Sequence, residues 1–193
     1  LGLKDALKVG SERVVNLLGV ENGFNSNPDV HIPLPKTLRK VQSALKSVGM
    51  SGLADDVELK LNRAAEAAVP KAKTLFWDAI AGMTLDDVMG IYKGPPDSAT
   101  RYFQGKMSTP LAGEMRPVVD GALAEVGAIA AYDNMMGQYK SIPFVPDVKA
   151  NLTDHVIAKA MDGLFLYLAK EETAIRENPA KRSTDLLRKV FGQ

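Results

Sequence analysis

The chain has 193 residues, 24 lysines and arginines against 23 aspartates and glutamates, a net charge of +1 and no cysteine. Disulfides, thiolate nucleophiles and cysteine-bound metals are excluded, and the scatter of basic among acidic residues argues against nucleic acid as a partner. The longest apolar runs fall far short of the roughly 20 residues that a bilayer-crossing helix needs, so no transmembrane segment is expected.

Helical periodicity recurs along the chain and strand alternation does not. A first helix is predicted from Gly2 to Leu18, with Leu3, Leu7, Val14 and Leu18 on one face. Residues 19–35 form a loop rich in Asn, Gly and Pro, too long for a mere connector, and its Phe24, Val30, Ile32 and Leu34 suggest that it is pinned against the helices. Helices follow from Lys36 to Val48 and from Gly52 to Ala68, the second using Leu53, Val57, Leu61, Ala64 and Ala68, whose alanines imply close helix contact. Pro70 breaks or restarts the helix, and Leu75, Phe76, Ala79, Ile80 and Met83 carry the next face. Thr84 is placed to cap Leu85 to Tyr92 with Asp87 at the third position, and Asp97 or Ser98 to cap a segment carrying Tyr102 and Phe103. A separate, longer helix is predicted to start at Thr109 and Pro110 and to kink at Pro117. Gly127 allows a bend into Ala128 to Lys140, and Ser141 to Ala150 is a second loop. A long helix runs from Thr153 to Glu177, and Ser183 or Thr184 caps a last one ending in Leu186, Leu187, Val190 and Phe191. The expectation is all-α: a single compact domain of about nine or ten helices with no sheet.

The long helix carries the one functional clue. At about 100° per residue, Ile157, Met161, Leu164, Leu168 and Ile175 stack in an apolar seam, and Glu171 and Glu172 fall roughly 40° and 60° to either side of it. Both carboxylates emerge within the apolar arc, where an unpaired acid would cost several kcal/mol, so a cation or hydrogen-bond donors must meet at least one of them. Arg176 can reach Glu172 along the helix; Arg63 and Arg182 are candidates from elsewhere. Asn62, Arg63 and Glu66 lie on the side of their helix away from Val57 and Ala64. Either that side is a solvated face with an Asn62 to Glu66 contact, or it packs on the long helix and Arg63 meets Glu171 or Glu172.

The rest of the catalytic inventory is short. His31 and His155 are the only histidines, and His155 projects opposite Glu171 and Glu172, beside Asp162, so a transition-metal site is not expected. There is no Gly-x-Ser-x-Gly elbow, Gly-x-Gly-x-x-Gly turn or phosphate loop, and no cofactor is expected. Adjacent carboxylates diverge too far for glycoside hydrolysis, for which Glu58 or Glu66 would have to supply the second group. Tyr102, Phe103, Tyr132, Met135, Met136 and Tyr139 read more simply as core and rim than as a ligand-stacking set.

Leu59-Lys-Leu-Asn-Arg-Ala-Ala-Glu66, Tyr102-Phe103, Asp162-Gly-Leu-Phe165, Glu171-Glu172 with Ile175-Arg176, and Pro179-Ala-Lys-Arg-Ser-Thr-Asp-Leu-Leu-Arg-Lys-Val-Phe-Gly192 resemble the bacterial proteins grouped as domain of unknown function 4197. The resemblance covers nearly the whole chain. It implies an all-helical protein usually made with an export signal, hence periplasmic or envelope-associated in a Gram-negative bacterium, and it implies no activity. The family pattern places Asn62, Arg63, Glu66, Glu171, Glu172, Arg176 and Arg182 in its recurrent motifs. The expected function is a non-enzymatic helical binding or scaffold protein of unknown partner. A carrier of a small amphipathic ligand, and a hydrolase using Glu171 or Glu172 as general acid, are the alternatives.

Overall fold

The structure is a computed structural model and describes residues 2–177. Eight α-helices and no strand lie among the described residues: α1 (Gly2–Leu18), α2 (Arg39–Ser47), α3 (Ser51–Ala68), α4 (Ala72–Ala81), α5 (Leu85–Lys93), α6 (Ser98–Glu125), α7 (Ala128–Lys140) and α8 (Leu152–Glu177). Single 3-10 turns at Lys36–Leu38 and Val69–Lys71 lead into α2 and α4.

Local signals set several of these bounds. Thr84 accepts the amide of Asp87 while the Asp87 carboxylate accepts the Thr84 amide, a reciprocal cap that starts α5. Gly127 ends α6 and starts α7 at φ +78°, a left-handed conformation that a side chain would strain.

The alanine-rich face of α3 organises the interior. Ala54, Val57, Leu61, Ala64, Ala65 and Ala68 are all buried, and their small volume lets α2, α6, α7 and α8 approach the same helix. α8 lies between α6 and α1, and also touches α3. Buried apolar side chains from all eight helices and from the 19–35 loop join one contiguous core.

Two expectations need correction. The segment with Tyr102 and Phe103 and the one starting at Thr109 are a single helix, α6, which runs through Pro110 and Pro117. An internal proline costs about 3 kcal/mol, whereas Phe103, Met107, Leu111, Met115, Val119 and Leu123 are all buried and each contributes roughly 1.5–3 kcal/mol, so packing wins. Both prolines sit on the exposed side, where the carbonyls they leave unpaired can face water. The row repeats every fourth residue and therefore drifts about 40° per step, so α6 turns different sides to its neighbours α3, α4, α5, α7 and α8. That fusion removes one of the nine or ten expected helices, and the one expected after Ser183 lies, with Arg182, outside the described residues, among which there are eight.

Candidate functional site

Adjacent residues on a helix point about 100° apart, and α8 uses that divergence to hold two different neighbours. Glu171, half-buried, accepts a hydrogen bond from Arg13 Nη1 of α1 at 2.9 Å. Glu172 is only 5% exposed and faces the start of α6. Its Oε1 accepts the Ala99 amide at 2.8 Å and Arg176 Nη2 at 3.1 Å. Its Oε2 accepts the Thr100 amide and the Thr100 hydroxyl, both at 2.9 Å.

The start of α6 explains why a distant acid is needed. The first amides of any helix lack intrahelical acceptors. Asp97 and Ser98, the expected local caps, are engaged elsewhere: the Asp97 carboxylate takes Arg101 Nε at 2.9 Å, and the Ser98 hydroxyl donates to the Pro95 carbonyl at 2.7 Å. Glu172 therefore supplies the cap from 72 and 73 residues away and puts a negative charge at the positive end of the helix dipole. Arg176, one turn on, donates to the Ile91 carbonyl in the last turn of α5 at 2.9 Å, a cation at a negative helix end. The Glu172 and Arg176 pair thus clamps the junction between α5 and α6 through both helix ends.

A second cluster is built on α3. Glu58, Asn62 and Glu66 recur every fourth residue, so they share one stripe. Glu66, 4% exposed, accepts four donors: the amides of Asn22, Phe24 and Asn25 at 3.0–3.1 Å, and Arg63 Nη1 at 2.8 Å. Asn62 is fully buried; its Oδ1 accepts the Ile32 amide at 2.8 Å, and its Nδ2 donates to the Ile32 and Glu58 carbonyls at 2.9 and 2.8 Å. Glu58 accepts the Leu34 amide, and its other oxygen lies 3.0 Å from His31 Nε2. The 19–35 loop is thereby hydrogen-bonded to α3 through its own main chain.

The other side of the loop is held by α8. Asn27 donates to the Tyr167 hydroxyl at 2.7 Å, Lys170 Nζ donates to Asp29 at 3.0 Å, and His155 Nε2 lies 2.7 Å from the Pro33 carbonyl. The Lys170 hydrogen bond and charge hold the Asp29 carboxyl below its ordinary range, and the Lys170 ammonium is raised in turn by Asp29. Phe24 and Val30 pack so closely on Gly163 that a Cβ there would lie 3.0–3.2 Å from their side chains.

The residues singled out from sequence thus divide into two groups. Glu171, Glu172 and Arg176 come together at the meeting of α8 with α1, α5 and α6; Asn62, Arg63 and Glu66 come together under the loop; Arg182 lies outside the described residues. Both readings of the α3 side are corrected. It is neither a solvated face nor packed through Arg63 on Glu171 or Glu172, because the loop covers it and Arg63 turns to Glu66, Asn22 and Glu21. His155 reaches a loop carbonyl instead of Asp162. The sequence reading missed Arg13 as the partner of Glu171, and missed the Ala99 and Thr100 amides. A position beside Val14 at the edge of an apolar seam was a signal for Arg13, whereas backbone donors carry none.

Glu172 and Glu66 each accept four hydrogen bonds, which fills the roughly four lone-pair sites of a carboxylate. Neither is left with a free basic site to take a proton from a substrate. Glu171 instead borders an open groove of about 410 Å³ floored by Val14, Leu17 and Ala174, with Arg13, Tyr167 and Lys170 around it. Among the described residues no three His, Asp or Glu side chains gather in a way that could hold a metal ion, and no helix is long and apolar enough to cross a membrane.

In comparison with known proteins, residues 1–192 match the family model described as Protein of unknown function (DUF4197). No curated protein and no solved structure matches the chain.

Proposed function

The chain belongs to the DUF4197 family, and from that premise we propose that it acts as an exported, non-enzymatic helical binding or scaffold protein. The observation that carries this reading is the saturation of Glu172. A general acid or base must keep a site open for the proton it moves, and the most enclosed acid of the α8 pair spends all its acceptor capacity on Ala99, Thr100 and Arg176. Such a carboxylate fixes helix ends in register, which suits a protein whose work is to present a shaped surface. On the same ground Glu172 loses support as the general acid of a hydrolase, whereas Glu171, beside its groove, is not filled in this way.

Export to the periplasm of a Gram-negative cell is part of the proposal and rests on the family resemblance. Fractionation of cells producing the complete gene product with a C-terminal tag tests it: release with the periplasmic contents supports it, and retention in the cytosol overturns it.

The carrier reading keeps one observation in its favour, the groove beside Glu171, whose apolar floor and charged rim match an amphipathic molecule in kind. Native mass spectrometry of protein purified from its own compartment separates the two readings. A complex with a second polypeptide supports the scaffold, whereas a small-molecule adduct released on denaturation and lost in Glu171→Gln overturns it in favour of the carrier.

A further inference from the structure

We propose that the end of the molecule formed by α2 and the 141–151 loop docks on a bilayer surface rich in anionic phospholipid, with Phe144 entering the interfacial region. This surface is separate from the Glu171 and Glu172 junction, and the inference names a lipid chemistry, not a compartment, so it stands or falls independently of the function proposed above.

Phe144 stands entirely in solvent, at 106% of its reference exposure, and its backbone adopts φ +62°. A bulky residue rarely occupies that region, so the neighbouring chain must hold it there. The surrounding chain enforces the conformation. Pro143 and Pro146 restrict the backbone on either side, the Ile142 amide donates to the Tyr139 carbonyl at 3.0 Å, and the buried Tyr139 donates its hydroxyl to the Pro146 carbonyl at 2.7 Å. The ring is thus displayed from a tip that is already ordered, so little conformational freedom is left to lose on insertion.

Charge supplies the second, independent argument. Phe144 borders the same depression as Arg39 and Lys40 of α2. The stretches 36–50 and 139–150 together contain Lys36, Arg39, Lys40, Lys46, Lys140 and Lys149, all exposed, with Asp147 as their only acid. None of these six cations forms an ion pair among the described residues, whereas cations of α1, α3, α4, α6 and α8 do. Asp133 and Asp147 border the neighbouring depression with Lys140 and Lys149 and offset part of the charge there. The remainder of the chain is net acidic although the whole is nearly neutral, so these two stretches carry more than the chain's entire positive excess. An apolar tip within a cationic surround is complementary to an anionic headgroup layer over acyl chains. A soluble polyanion would match the cations but would leave the exposed aromatic ring without a role.

Flotation with mixed phosphatidylglycerol and phosphatidylethanolamine vesicles, against pure phosphatidylcholine vesicles, tests the proposal. The wild type should float with the anionic vesicles and remain free of the neutral ones, and binding should fall as salt is raised. Arg39→Gln with Lys40→Gln should weaken partition roughly 25-fold, at about fivefold per cation. Phe144→Ser should weaken it by about tenfold or more while the far-ultraviolet circular dichroism stays unchanged. In Phe144→Trp, emission should shift to the blue on anionic vesicles only. Equal binding to both vesicle types, or no binding at low salt, overturns the proposal. Tight binding to heparin that is indifferent to Phe144→Ser also overturns it, as does a dimer abolished by Phe144→Ser in a protein that ignores vesicles.

Discussion

Glu172→Gln keeps the size and shape of the side chain and exchanges one acceptor oxygen for an NH2 group. Whichever way the amide is turned, one backbone donor of the α6 start, Ala99 or Thr100, then faces a donor, and Arg176 loses the charge of Glu172. A buried amide without an acceptor costs about 1–3 kcal/mol, and removing one partner of a buried ion pair costs about 3–5 kcal/mol. The second figure must be reduced, because Arg176 is partly exposed and keeps the Ile91 carbonyl. A net loss of about 3 kcal/mol is expected, or roughly 6–12 °C in Tm for a chain of this size. Glu171→Gln removes only the half-exposed pair with Arg13, worth about 0.5 kcal/mol and roughly 1–2 °C. Thermal melts followed by far-ultraviolet circular dichroism measure both. A double-mutant cycle of Glu172→Gln with Thr100→Val should add a coupling of about 1 kcal/mol. If Glu172→Gln melts within about 2 °C of the wild type, or no lower than Glu171→Gln, the helix-end clamp is not what holds α8 to α6.

Glu66→Gln should leave either the Asn22 amide or those of Phe24 and Asn25 without an acceptor, speed their hydrogen exchange and cost about 2–4 kcal/mol, while exchange in α6 is changed only by the global loss of stability. Gly163→Ala should destabilise by about 1–2 kcal/mol despite better helix propensity, since its Cβ would press on Phe24 and the stiff Val30; Gly105→Ala, with open space at its Cβ, should stabilise by about 0.5–1 kcal/mol. Urea titrations of the two alanine variants should move in opposite directions. The folded-state carboxyl of Asp29 lies below its ordinary value because of Lys170, so its contribution is present above the unfolded value and is lost as pH falls through the folded one, below about pH 4. Asp29→Asn should abolish that acid-sensitive step in loop exchange without altering behaviour at neutral pH beyond a constant offset.

Apolar spacing made most of the helices legible, because a buried stripe has the same period as the helix that carries it, and α1 and α7 keep the bounds that spacing predicts. The acids of α8 were legible as anomalies for a thermodynamic reason: a carboxylate within an apolar arc requires donors. What the wheel could not reveal was which donors. The cap on α6 is made by main-chain amides far along the chain, and any residue could present them. The α3 stripe shows the same division. Asn62 and Glu66 were visible as polar residues on an alanine-rich helix, yet the loop meets them through the backbones of Phe24 and Ile32, whose side chains point only to burial. Pro110 and Pro117 misled for another reason, since their local penalty was visible and the buried row of α6 that outweighs it was divided between two predicted segments.

The pairing of α1 with α8 and the loop contacts of Tyr167 and His155 span 158, 140 and 122 residues. Contacts this distant in sequence slow folding, because closure entropy is spent before they form. During synthesis the first helix emerges long before its partner, so α1 and the loop must wait in an unfinished state until the eighth helix arrives. A nascent chain halted before residue 152 would lack the cap on α6 and the clasp of α8 on the outer side of the loop, although the loop could already meet α3. Folding is therefore coupled to the arrival of α8, and until then the apolar faces that α8 covers stay open to a chaperone.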